Sequence, residues 1–155
     1  MHHSTSLHWT RAGVDEELAA IRRSLGAVAE GGAGDASPGG YEQARAALHR
    51  LRLTFELLEV YGAALLAEEM EGLAAGLGSG RVDQDQDGLR LMMQGTLHLP
   101  HYLERVQSTG RDVPVLMMPL LNDMRALLGR QLLSATSLFS PDLGQAPPER
   151  PPSLL

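Results

Sequence analysis

Apolar residues recur along the chain at the three- and four-residue spacing of one helical face, in five successive segments. In the first segment these positions are Val14, Leu18, Ile21, Leu25 and Val28. Such spacing predicts a helix that packs one side against the rest of the protein. Asp15, Glu16 and Glu17 are expected in its first turn, where carboxylates suit the helix dipole.

The second and third segments predict two further amphipathic helices, separated near Gly62. The second helix is expected from about Tyr41 to Tyr61, with the buried positions Ala44, Leu48, Leu51, Phe55 and Leu58. In the third helix the inward positions are Leu66, Met70, Leu73 and Leu77, whereas Glu68, Glu69 and Glu71 are expected to point mostly outward. Glycines after Leu77 mark its end.

The last two segments carry the same pattern. A fourth helix is expected from near Asp87, with the apolar positions Leu89, Met93, Leu99, Leu103 and Val106. A fifth begins between Pro114 and Pro119, since proline is tolerated in a first turn. Its inward positions are Leu120, Met124, Leu127 and Leu128, and Leu132 and Leu133 leave open an extension past Gly129.

Helices joined by Gly-rich turns, each with one apolar face, predict an all-α antiparallel helical bundle. No segment shows the alternation of a β-strand. We expect one domain at residues 13–133, with a flexible Gly/Pro loop at 31–40, because the chain has 155 residues. Residues 1–12 are expected to form a flexible N-terminus and residues 134–155 a Pro-rich linker or tail.

Composition narrows the class of function. The formal net charge of −6 disfavours binding to nucleic acid and to anionic membranes, both of which rely on Lys and Arg. The chain has no cysteine, which excludes disulfides and thiolate chemistry. Its densest apolar run, Val115–Leu121, is too short to span a bilayer. These properties predict a cytoplasmic protein.

A polar stripe on the second helix offers the clearest candidate chemistry. Arg45, His49, Arg52 and Glu56 follow one another at helical spacing, away from the apolar stripe. An exposed imidazole can attack a phosphoryl group, and a guanidinium one turn away would stabilise the added negative charge. An ordinary solvated helix face remains the alternative, because exposed His and Arg are common.

The segment around His49 resembles the His-x-x-Lys-Gly motif of histidine-phosphotransfer (Hpt) domains. His49 takes the position of the phosphorylated histidine, and Arg52 that of the lysine. Leu53 stands where that family has glycine, and its side chain is expected to crowd the approach of a receiver domain. The departure puts phosphotransfer in doubt, although the histidine itself is retained.

A longer resemblance covers the chain from about Leu7 to Leu143. It is carried by Leu48-His49 and by the strings Val60–Glu71, Leu97–Arg105, Pro119–Arg125 and Leu133–Leu143. These strings resemble the N-terminal Hpt-like domains of the ChpA (PilL) and FimL type, which belong to the chemosensory hybrid kinases and scaffolds of type IV pili.

This resemblance implies a role in the chemosensory phosphorelay that controls type IV pili and twitching motility. A nucleotide-binding kinase segment is not recognisable in the chain, so it is expected to be a non-catalytic, cofactor-free module. Expected partners are receiver domains of response regulators or polar scaffold proteins, with recruitment to the cell pole. The expected partner-binding residues are Arg45, His49, Arg52, Leu53 and Glu56. The alternative is a competent phosphotransfer domain that uses His49 as phosphoryl acceptor.

Three weaker signals remain. Asp83, Asp85 and Asp87 resemble the start of a calcium loop, but Gln94 stands where a bidentate glutamate is needed. His98 and His101 have a spacing that can hold zinc, but further ligands are lacking, so no metal site is predicted. Methionines could form a soft binding surface, but they are more often core residues.

Overall fold

A computed structural model describes residues 2–31, 38–82 and 85–139 of the chain. Within them it contains six α-helices and no strand, which confirms the all-α bundle. The helices are α1 (His2–Gly31), α2 (Pro38–Leu57), α3 (Tyr61–Ser79), α4 (Asp85–Thr109), α5 (Met118–Leu127) and α6 (Ala135–Phe139). A 3₁₀ turn at Pro114–Met117 precedes α5.

The four long helices form a square in cross-section. Both α2 and α4 pack against α1 and α3, with the α2–α3 pair in most extensive contact. Consequently α2 and α4 occupy opposite corners of the bundle, and their outer faces point in different directions.

Two predicted helix starts differ from the structure. Helix α1 begins at His2 rather than near residue 13, so Asp15–Glu17 lie in its middle and not in its first turn. Arg11 donates from Nη1 to Gln107 Oε1 at 2.8 Å, which ties this early part of α1 to α4. Helix α2 begins at Pro38, inside the expected loop at 31–40, of which residues 32–37 lie outside the described part. The flexibility assigned to residues 1–12 stays a prediction.

The apolar stripes meet in one core, and most of their predicted members are fully buried. The largest fully buried side chains of this core are Phe55, Leu18, Ile21, Leu25, Leu48, Leu51, Leu66, Met70, Leu73, Met92 and Leu99. Met93, predicted on the apolar stripe, is instead exposed while its neighbour Met92 is buried, and Glu69 is buried rather than outward.

The turn from α2 to α3 is tight and has a left-handed residue that is not glycine. Glu59 has φ 61°. The Val60 N–H donates to Phe55 O at 2.9 Å and the Glu59 N–H to Glu56 O at 3.1 Å, the paired hydrogen bonds of a Schellman motif. Val60 and Phe55 are both fully buried, which supplies the apolar contact of that motif.

The N-terminus of α3 is capped from a distant segment. Asp112 accepts the N–H of Tyr61 at 2.5 Å and that of Gly62 at 3.0 Å, and it also accepts the Tyr102 hydroxyl. A Cβ at Gly62 would overlap that hydroxyl, so glycine here permits close approach rather than ending a helix as expected. Burial, followed by the hydrogen bond to Asp112, raises the pKa of Tyr102 above its ordinary value.

A buried carboxylate fastens the end of α5 to α3. Glu69 accepts from Arg125 Nη1 at 2.5 Å and from Arg130 Nη1 at 3.1 Å. Helix α5 ends at Leu127, and Gly129 follows with φ 72°, so the extension through Leu132 and Leu133 does not occur. The predicted C-terminal linker contains the short α6, while residues 140–155 lie outside the described part.

Candidate functional site

The predicted stripe lies on the outer face of α2, as its spacing required. His49 is the centre of this face, with 44% of its side chain exposed, so the ring is not buried among the core leucines. Arg45 precedes it by one turn and Arg52 follows by one turn. The structure therefore brings the five candidate residues together on one accessible surface, next to Leu57, which the sequence analysis did not single out. We call this surface the α2 face: Arg45, His49, Arg52, Leu53, Glu56 and Leu57.

Glu71 of α3 completes this cluster, and sequence reasoning missed it. Its Oε2 lies 3.0 Å from His49 Nδ1, and its Oε1 accepts from Arg52 Nε at 3.1 Å. Arg45 Nη1 lies 3.7 Å from the same carboxylate. Glu71 was expected to point mostly outward, yet it is largely covered by these three partners.

The two arginines of the α2 face are engaged by carboxylates. Arg45 donates to Glu42 Oε2 at 2.6 Å, and Arg52 donates to Glu56 Oε2 at 2.9 Å as well as to Glu71. The hydrogen bond to Glu71 raises the pKa of Arg52, and that to Glu42 raises the pKa of Arg45. With three carboxylates and two guanidinium groups, the cluster is internally compensated rather than basic.

The contacts at His49 Nδ1 restrict the ring to one of two arrangements. Nδ1 lies 3.0 Å from Glu71 Oε2 and 3.2 Å from Arg52 Nη2. It can donate to the carboxylate only when protonated and accept from the guanidinium only when unprotonated, so it makes one bond at a time. In the neutral tautomer whose Nδ1 donates to Glu71, Nε2 carries the lone pair that chemistry or a partner would use.

The C-terminal end of the α2 face is apolar. Leu53 is 48% exposed and Leu57, one turn later, is 87% exposed. Leu51 and Phe55, which lie in the same turns of α2, are fully buried. Two large apolar side chains that share an exposed surface next to a polar cluster are typical of a protein-binding surface.

The weaker candidates are not organised as sites among the described residues. Asp85 and Asp87 lie in the first turn of α4, and Asp87 pairs with Arg90 at 3.6 Å. Asp83 lies outside the described part of the chain. His98 and His101 both belong to the exposed side of α4, and among residues that the structure describes no group of three potential ligands could hold a metal.

Most methionines take the core role expected of them. In the part of the chain that the structure describes, Met92, Met117 and Met124 are buried, Met118 is partly buried and Met93 is exposed. Among the described helices, none is both long and apolar enough to cross a membrane.

Comparison with curated proteins finds similarity to the scaffold protein FimL of Pseudomonas aeruginosa. The two sequences are 35% identical over 107 residues, which is 68% of this chain and 18% of FimL. The chain therefore spans less than a fifth of the length of that relative. No protein-family model and no solved structure matches the chain. This similarity supports a FimL-like relationship, while descent from an Hpt domain of a kinase stays a prediction.

Proposed function

Starting from the similarity to a scaffold protein, we propose that this bundle is a non-catalytic, protein-binding module of a scaffold. Its system is the chemosensory phosphorelay that controls type IV pili and twitching motility. The partner docks on the α2 face, and no cofactor takes part. Partners of the expected kind are receiver domains of response regulators or polar scaffold proteins, met in the cytoplasm or at the cell pole.

The exposed pair Leu53 and Leu57 carries this proposal. Their side chains supply apolar area at the edge of a charge cluster that is already satisfied within the molecule. A partner that covers these leucines gains a free energy of roughly 25 cal/mol for each Å² of apolar surface buried. It does not have to neutralise a net charge of the neighbouring cluster. Arg52 and Glu56 would form the polar rim of such an interface. Compensated charges also predict an affinity that depends only weakly on salt.

Phosphotransfer through His49 is the second candidate, favoured by one specific observation. The Nδ1 atom of His49 lies 3.0 Å from Glu71 Oε2 on a side chain that is 44% exposed, and in the neutral tautomer whose Nδ1 donates to Glu71 the lone pair is on Nε2. In that reaction the Nε2 lone pair attacks the phosphorus of a phosphoaspartate or phosphohistidine, and the bond from phosphorus to the donor atom breaks. The proton stays on Nδ1, where the Glu71 carboxylate stabilises the imidazolium.

Two features of the same surface favour binding over phosphotransfer. Leu53 is 48% exposed one turn after His49, and its side chain is expected to crowd an approaching receiver domain because it stands where Hpt domains have glycine. Both nearby guanidinium groups are held by carboxylates, so Arg45 would have to leave Glu42, and Arg52 would have to leave Glu71 and Glu56, before either could stabilise a phosphoryl group. We therefore place partner binding first.

A titration with a matched pair of variants tests the binding proposal. Leu53→Glu is compared with Leu116→Glu, since both leucines are 48% exposed and Leu116 lies in the 3₁₀ turn, outside the α2 face. Against each cognate response regulator and polar scaffold protein, we expect Leu53→Glu to weaken binding at least about tenfold and Leu116→Glu to leave it unchanged. No binding of wild type to any of them contradicts the proposal.

A labelling experiment tests the alternative. Wild type, His49→Gln and Leu53→Gly are incubated with labelled phospho-receiver or with active kinase. Phosphotransfer predicts label on wild type, more label on Leu53→Gly and none on His49→Gln. Binding without transfer predicts no label on any of the three.

A further inference from the structure

The outer face of α4 carries a stripe that the docking proposal does not use. Its members are Arg90, Met93, Leu97, His101 and Glu104, and all five are exposed. They succeed one another by three, four, four and three residues, so they share one side of the helix. We call this set the α4 stripe. The stripe is symmetric about Leu97: Met93 and His101 each lie four residues from it, and Arg90 and Glu104 each lie seven residues from it.

The centre of the α4 stripe is apolar. Leu97 is 59% exposed and Met93, one turn earlier, is 38% exposed. Helices α1, α3 and α5 pack against α4, and the five members of the stripe are exposed outside these contacts. Within the described residues, no other element packs over the stripe, so its apolar centre is available to another molecule.

The ends of the stripe carry opposite charges. Among the described residues, Arg90 forms an ion pair with Asp87 on its own helix, at 3.6 Å, and both of these side chains are largely exposed. Glu104 has no ion pair among the described residues. One end of the stripe is thus a guanidinium and the other a carboxylate, at equal distances from Leu97.

We propose that a second copy of this chain docks on the α4 stripe, with the two α4 helices antiparallel and a two-fold axis at Leu97. Each residue then meets the residue at the mirror position of the stripe. Leu97 packs on Leu97 of the second copy, Met93 on its His101, and Arg90 faces its Glu104. A two-fold interface repeats each contact, so the charged pair forms twice.

Charge selects the antiparallel arrangement. If the helices ran parallel in register, Arg90 would face Arg90 and Glu104 would face Glu104, which is repulsive at both ends. The antiparallel arrangement replaces both repulsions with attractive pairs. In the antiparallel arrangement, the charges of the stripe are therefore complementary to those of a second copy.

The dimer leaves the α2 face open. Because α2 and α4 occupy opposite corners of the bundle, docking through α4 turns both α2 faces outward, away from the shared axis. The result is a two-headed module in which each copy can hold a partner, as a scaffold requires. The stripe is about 21 Å long. An interface of that length is small, so weak self-association is expected.

Sedimentation velocity of the 155-residue chain over a concentration series tests the dimer. Leu97→Glu is compared with Leu132→Glu, since Leu132 is 57% exposed and lies outside α4. We expect Leu97→Glu to weaken self-association at least about tenfold and Leu132→Glu to leave it unchanged. A wild type that stays monomeric at about 1 mM overturns the proposal, as does a dimer insensitive to Leu97→Glu.

Charge reversal tests the register and does not depend on Leu97. Arg90→Glu and Glu104→Arg should each weaken the homodimer about tenfold, and the double variant should restore it. A mixture of the two single variants should form heterodimers, because each supplies the charge that the other lacks. Circular dichroism confirms that the variants are folded. Single variants that self-associate like wild type, or a mixture without heterodimers, overturn the antiparallel arrangement.

Discussion

Glu71 of α3 and His49 of α2 lie 3.0 Å apart, measured from the carboxylate Oε2 to the imidazole Nδ1. The same carboxylate accepts from Arg52 and lies near Arg45, so one residue of α3 contacts Arg45, His49 and Arg52 of the α2 face. The face is therefore a preorganised, neutralised surface and not a bare basic patch.

Glu71→Ala should destabilise the bundle by about 1–2 kcal/mol, because it removes a largely covered carboxylate that holds three partners. The control is Glu56→Ala, since Glu56 is more exposed and pairs only with Arg52. That control should cost no more than about 0.5 kcal/mol. Urea unfolding monitored by circular dichroism measures both values, and equal losses would contradict the central position of Glu71.

Glu69→Gln should be more costly, at about 3 kcal/mol, because it removes the charge of a carboxylate that is only 4% exposed and leaves the guanidinium groups of Arg125 and Arg130 without it. Glu68→Gln is the matched control, since Glu68 is exposed on the same helix. Its free energy of unfolding should lie within about 0.5 kcal/mol of wild type. A tolerated Glu69→Gln would show that this cluster does not fasten α5 to α3.

Periodicity predicted the bundle well and the buried polar residues poorly. The stripe from Val14 to Val28 is buried as predicted, because it depends only on spacing within one helix. Glu69 was expected to be outward. Its burial was missed because its partner Arg125 lies 56 residues away, and no local pattern in the sequence gives the position of that segment. Met92 and Met93 are adjacent, and composition alone could not decide which of them faces the core.

The candidate site shows the same division. Arg45, His49 and Arg52 were found because they lie on one face of one helix. Glu71 was missed because a contact between helices leaves no signal in the spacing of either helix. Together with Glu42 and Glu56, Glu71 compensates the positive charge of Arg45 and Arg52.

Alkaline pH should destabilise the protein in part through Tyr102. Its pKa is raised in the folded state above the ordinary 10.0, so above that pH the unfolded chain loses a proton that the folded chain retains. Stability contributed by this group is complete below pH 10 and falls as pH rises, by up to about 1.4 kcal/mol per pH unit.

Tyr102→Phe should reduce that slope. Tyr41, whose pKa burial also raises, should keep part of it. Urea unfolding of wild type and variant at pH 8, 10 and 11 measures the two slopes, and identical slopes would contradict a role for Tyr102.

Glu59→Gly should stabilise the protein by about 0.5–1 kcal/mol, since glycine adopts the left-handed φ of this turn without the clash of a Cβ. The same substitution at Glu68, inside α3, should instead destabilise by about 1 kcal/mol. Thermal unfolding compares the two variants. Effects of the same sign would contradict the assignment of strain to Glu59.

The docking surface is tested most directly by NMR chemical-shift mapping. The ¹⁵N-labelled chain is titrated with each cognate response regulator and polar scaffold protein in turn. We predict that a binding partner perturbs amides from His49 to Leu57 on α2, with smaller changes near Glu71. Perturbations that cluster on α1 or α4 and spare α2 would contradict the account.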